Sequence, residues 1–196
     1  MTIIFFIKSK TVKLDRYNIK DIPGSSGRLD VMSRCILATL IDNDRFEMNS
    51  QIWVFLDNYG TFIFSSDNLI YDEFPKNEIL FTDYFVKLIQ TSDILPPPPN
   101  PLNSIKRSNM GIIKAIKHFK RLKYNLYILQ EQGKDFWTIL NSIKEKENIL
   151  FLLGSQEDDF LNSVELLELK IPSLSLGNRS YLASSVIRLL KLYILG

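Results

Sequence analysis

A chain of 196 residues, 45% of them hydrophobic, suits one folded domain with a core, or at most two very small ones, and is too apolar for a disordered tail. Its net charge of +2 neither demands nor excludes a nucleic-acid partner, so the distribution of charge has to decide. Cys35 is the only cysteine and His118 the only histidine, which excludes a disulfide framework, a thiolate metal cluster and a His-rich metal site, and makes a reduced cytosol the default compartment.

TIIFFI at 2–7 is apolar and short, lacks a basic leader and a small-residue cleavage site, and reads as a strand rather than a signal peptide. A Pro/Gly/Ser turn then leads into a helix over 27–41, with Leu29, Met32, Ile36, Leu37 and Leu40 on its apolar side and Cys35 as small core filler. Strands follow at 51–56 and 61–65 and a helix at 78–90. LPPPPNP at 95–101 is a stiff polyproline spacer between two halves of the fold. A helix over 112–123, a strand at 125–129, a helix over 135–146, a strand at 149–153, a helix over 158–169, a strand at 174–176 and a last helix over 180–194 complete the chain. Short apolar strands alternating with helices predict a single α/β domain over 1–196 with a largely parallel sheet. No apolar run reaches the length of a membrane span. The last helix is apolar from Leu189 to Leu195 except at Lys191, so it needs cover on nearly all sides, from its own fold or from a second subunit.

Three constellations carry chemistry. Arg28, Asp30 and Arg34 crowd the mouth of the helix over 27–41. Asp30 there is either a first-turn carboxylate favoured by the helix dipole, or an acid–base group kept ionised by its arginines. Between Ile94 and Gln130 there is no acidic residue, yet Lys106, Arg107, Lys114, Lys117, Lys120, Arg121 and Lys123 all fall there. A solvated face mixes signs, whereas single-sign enrichment suits a phosphate backbone. His118 among those lysines reads as a surface residue. Gly154 and Gly177 each follow a strand, where ligands meet main-chain amides, although neither belongs to a GxGxxG or P-loop pattern. Gly177-Asn178 with Ser180 is alternatively a tight turn and a helix N-cap, which leaves the small residues Ala183, Ser184 and Ser185 after it unexplained.

In order and separation, DIPGSSGRLDVMSRC, NLYILQEQGKD, ILFLLG and LSLGNRSYLASSVI resemble the archaeal tRNA (pseudouridine-N1)-methyltransferase family, TrmY, of the SPOUT class. The resemblance runs nearly from end to end. It implies an α/β fold with a C-terminal trefoil knot, a cytoplasmic homodimer, S-adenosylmethionine as cofactor, no metal, and a tRNA substrate methylated at N1 of pseudouridine 54 in the T loop. The cofactor loops of that family match Leu129, Gly154, Leu174, Ser175, Leu176, Gly177, Asn178, Arg179 and Ser180. Val186 stands where relatives commonly have cysteine. Arg28, Asp30 and Arg34 match the part facing the target base. Two stretches depart from the pattern. Relatives continue the Gly154 loop with a Gly-Asp-His-Ile-Gly-like sequence where this chain has GSQEDDF, and the segment 59–77 is shorter.

On this reading Asp30 accepts or orients the N1 proton and Arg28 stabilises charge on the adjacent carbonyl oxygen. The basic window holds tRNA phosphates. A SPOUT ribose 2′-O-methyltransferase and a non-catalytic knotted RNA-binding dimer remain open beside it. A small-molecule methyltransferase would leave the basic window without a purpose.

Overall fold

The computed structural model describes residues 1–154, 159–177 and 179–196. In chain order the elements are β1 (Thr2–Ser9), α1 (Ile22–Ser25), α2 (Leu29–Leu40), a small hairpin of β2 (Ile41–Asp42) and β3 (Arg45–Phe46), β4 (Ser50–Leu56) and β5 (Gly60–Ser65). They continue with α3 (Glu78–Gln90), β6 (Lys106–Ser108), α4 (Ile112–Arg121), β7 (Asn125–Asp135), α5 (Leu140–Lys144), β8 (Asn148–Leu153), α6 (Val164–Leu167), β9 (Ser173–Ser175) and α7 (Ala183–Ile194).

Seven strands form one sheet in the order β6-β5-β4-β1-β8-β7-β9. β1 lies at its centre, parallel to β4 on one side and β8 on the other, with Phe5 between Ile52 and Phe151. The period of two along β1 sends Ile3, Phe5 and Ile7 into one core and Ile4 and Phe6 into another. The first core is covered by α2, α3 and α7, the second by α4 and by Leu166 of α6. Phe6 anchors the second core with Trp53, Phe55 and Phe119 at ring separations of 5.4, 5.0 and 5.6 Å.

The expected α/β sheet is therefore present, with an antiparallel flank. Residues 57–59 are too few to carry a crossover, so β5 must turn back on β4, and β6 adds antiparallel to β5. Two long helices expected over 135–146 and 158–169 are cut down. β7 continues to Asp135, whose side chain accepts from the Trp137 N–H, leaving only Leu140–Lys144 as α-helix. In the second case the α-helix is Val164–Leu167, after a tight turn at Asp159–Asn162. The proline run lies exposed between α3 and β6 and is tied down at its end, where the Asn100 amide donates to the Tyr84 carbonyl at 2.8 Å.

In α7 the charged residue within the apolar run from Leu189 to Leu195 turns inward. Lys191 is buried, and its Nζ donates to the carbonyls of Ala38, Thr39 and Ile41 at 3.0, 2.8 and 3.1 Å. Those carbonyls end α2 and lack partners within it, so the ammonium caps the negative end of that helix. Burial pushes the Lys191 pKa down, while Glu47 and Asp42 oppose that shift. The apolar Leu192 is turned outward instead, 63% exposed. The cover that α7 requires is thus supplied in part by α2, against which Ile187, Leu190 and Ile194 are buried.

Candidate active site

Strands β1, β8, β7 and β9 run parallel and end together, and the loops leaving that edge build two clefts. The first, of about 590 Å³, is walled by Leu129, Gln130 and Glu131 after β7, by Leu153 and Gly154 at the end of β8, and by the run from Leu174 to Gly177. Arg179, Ser180, Tyr181, Ala183 and Val186 close it. Nine positions named from sequence, Leu129, Gly154, Leu174, Ser175, Leu176, Gly177, Arg179, Ser180 and Val186, are brought together here. Asn178 lies outside the described residues.

The floor of this cleft comes from an irregularity in β7. Leu129 and Lys134 both pair with Leu174, so the residues between them leave the ladder and rejoin it. Gly133 makes the return possible: a Cβ there would overlap the main chain of Leu174. Gln130, Glu131 and Gly133 were not singled out from sequence. An isolated glycine beyond a strand pattern, as in QEQGKD, is the signal for such a bulge. At Gly177 the backbone takes a φ of +121°, and Ser175 Oγ accepts from the Gly177 N–H at 3.1 Å, which holds the loop after β9 open. Ser180 is not the helix cap. The cap position is Leu182, which enters α7 with φ −63° and ψ 140° and no side-chain cap.

The second cleft, of about 630 Å³, adjoins the first, and Gly154, Tyr181 and Ala183 line both. Its other wall carries Ser9, Arg28, Val31, Met32 and Arg34, with Leu182 and Ser184 at the start of α7. The arginines are aimed by an unusual helix entry. Gly27 and Arg28 take φ values of 60° and 67° in succession, and Gly27 lies against the main chain of Thr11, where a Cβ would collide. Ser26 Oγ accepts from the Leu29 N–H at 3.1 Å and thereby caps α2 in place of Arg28.

Asp30 then gathers both guanidiniums. Arg28 Nε and Nη2 donate to its two oxygens at 3.1 and 3.3 Å, and Arg34 Nη2 donates to Oδ2 at 2.8 Å. Arg34 Nε also lies 3.9 Å from Glu78 at the start of α3. The carboxylate side chain is 4% exposed, against 40% for Arg28 and 32% for Arg34. Asp30 therefore sits behind the arginines and lines neither cleft, while its place in the first turn of α2 also suits the helix dipole. Cys35, wholly buried, has its thiol pushed up to about 12 by that burial, and it is core filler.

The basic window is divided. Lys106 and Arg107 lie on β6 at the far edge of the sheet, where Arg107 Nη2 donates to the Leu88 carbonyl at 3.3 Å. Lys114, Lys117, Lys120 and Arg121 line one shallow groove on α4, with His118 beside them, and Lys123 follows in a left-handed turn of φ 61°. α4 covers the second core, so this groove lies on the opposite face of the sheet from α2 and α7. Among the described residues no group of three or more His, Cys, Asp or Glu could hold a metal ion, and no helix is long and apolar enough to cross a membrane.

A sequence model of the family described as "Putative SAM-dependent RNA methyltransferase" matches residues 2–195. The tRNA (pseudouridine(54)-N(1))-methyltransferase of Pyrococcus abyssi is 27% identical, covering 97% of this chain and 96% of its own. The enzyme of the same name from Thermococcus onnurineus is 24% identical over 91% of this chain and 89% of its own. In fold, the chain is similar to Archaeoglobus fulgidus Nep1 bound to S-adenosylhomocysteine, with a TM-score of 0.68 and 16% identity over 99% of this chain and 97% of that one.

Proposed function

We propose that this chain, which belongs to the SAM-dependent RNA methyltransferase family, transfers a methyl group from S-adenosylmethionine to N1 of pseudouridine in tRNA, at position 54 of the T loop. One observation carries the reading: two adjoining clefts meet at Gly154, Tyr181 and Ala183, one walled largely by strand-end loops and the other by two arginines. The first suits the donor, since β7, β8 and β9 wall it around Leu129, Gly154 and Leu174 to Gly177, with Arg179 and Ser180 beside them, where an adenosine and its amino-acid tail can meet main-chain groups. When bound, S-adenosylmethionine supplies a methyl already activated on a sulfonium.

The chain itself then has to align the acceptor and manage one proton. Pseudouridine is joined to ribose through carbon, so its N1 bears a hydrogen, whereas in uridine that nitrogen holds the sugar. Arg28 and Arg34 at the second cleft stabilise charge spreading onto the carbonyl oxygens as N1–H is lost. Asp30, expected to accept or orient that proton, lines neither cleft and has both oxygens held by guanidiniums, so it acts by aligning the arginines while the proton leaves to water.

The wider assembly belongs to the same proposal. It includes a C-terminal trefoil knot of the SPOUT kind, a reading supported by β9 pairing with β7 at the sheet edge and by α7 packing on α2. A cytoplasmic homodimer formed through α2 and α7 would cover Leu182 and Leu192, exposed along the groove between those helices. Transfer is tested by incubating the chain with donor and matched tRNAs carrying pseudouridine or uridine at the target, then weighing the digested nucleosides. A mass gain of one methyl on pseudouridine alone is expected; a methylated ribose, or no gain, overturns the reading.

A further inference from the structure

Among the described residues, the second cleft has a single aromatic wall. Tyr181 borders it, in the loop between β9 and α7, with 41% of its surface exposed. Val31, Met32 and Leu182 offer aliphatic surface, and Arg28 and Arg34, which also donate to Asp30, offer guanidinium groups suited to a base's edge. A nucleobase drawn out of its helix gives up π contacts on its faces, and proteins that hold such bases restore those contacts with aromatic rings. Among the described residues lining this cleft, no other ring is there to do so.

We infer that the Tyr181 ring is the stacking surface for the extruded acceptor base. The inference rests on the methyl-transfer reading above and adds to it the residue that holds the base's face, where Arg28 and Arg34 meet its edge. The ring rather than the hydroxyl carries the contact. Because Tyr181 also borders the first cleft, the test must separate base affinity from donor affinity.

T-loop hairpins carrying either pseudouridine or an abasic site at the target are titrated against the full chain in the presence of S-adenosylhomocysteine. The wild type and Tyr181→Phe bind the base-bearing hairpin about tenfold more tightly than the abasic one. With S-adenosylhomocysteine held at saturation for each variant, Tyr181→Ala and Tyr181→Leu bind the two hairpins alike and keep the wild-type melting temperature; the leucine variant keeps the bulk without the π face. Full base preference in both of those variants overturns the inference, as does a loss confined to S-adenosylhomocysteine affinity. A wild type that shows the preference yet transfers no methyl defeats the enzymatic reading alone.

Discussion

At Asp30 a nearly buried carboxylate holds two half-exposed guanidiniums, and this difference in exposure sets what each residue can do. Arg28 is fixed in a left-handed conformation that L-residues avoid, and its fork onto Asp30 helps to keep it there. Neutralising the carboxylate leaves the shape nearly intact and removes the charge that aligns both arginines. Asp30→Asn is therefore expected to slow single-turnover methyl transfer by about a hundredfold or more, the scale of losing an aligned charge-stabilising group. S-adenosylhomocysteine affinity should be unchanged by calorimetry, since Asp30 lines neither cleft. Transfer at the wild-type rate would remove Asp30 from the chemistry.

Among the elements, β7 does the most to shape the donor side, and it was the least legible in the sequence. Its first five residues read plainly as a strand because Leu126 and Ile128 face a core. The excursion from Leu129 to Lys134 is polar and has no period of two, so only Gly133 marks it, and its partner Leu174 is distant in sequence. The strands over 2–9, 50–56 and 148–153 were legible for the opposite reason: buried on both faces, they are nearly continuous apolar runs. The orientation of α7 was not, because Lys191 finds its carbonyl partners at Ala38, Thr39 and Ile41, far along the chain. Cleft glycines can be ranked on the same grounds. A Cβ at Gly154 would meet the flexible side chain of Leu161, and one at Gly133 would meet the backbone of Leu174. Gly133→Ala should weaken S-adenosylhomocysteine binding at least tenfold and lower the melting temperature, while Gly154→Ala should do less of both. The reverse ranking by calorimetry would mean that the β7 return does not support the cleft.

On the scale of the whole molecule, charge is segregated between two faces of the sheet. The arginine pair lies with α2 on one face and the groove of Lys114, Lys117, Lys120 and Arg121 with α4 on the other. α4 is followed directly by the amino end of β7, and Lys120 Nζ donates to the Leu169 carbonyl just before β9, so the groove also reaches toward the end of the sheet opposite the clefts. A tRNA is large enough to touch surfaces this far apart, and the helix would then contribute phosphate contacts without taking part in the chemistry. Such contacts release counterions and carry no sequence information. Reversing Lys117 and Arg121 to glutamate should therefore weaken binding to all tRNAs alike and reduce the slope of log affinity against log salt by about 2. Because the groove is remote from Arg28 and Arg34, kcat at saturating tRNA should stay within about twofold of wild type while KM rises. An unchanged KM and an unchanged salt slope would mean that the RNA path avoids α4 altogether, and the acid-free window would then be only a soluble surface.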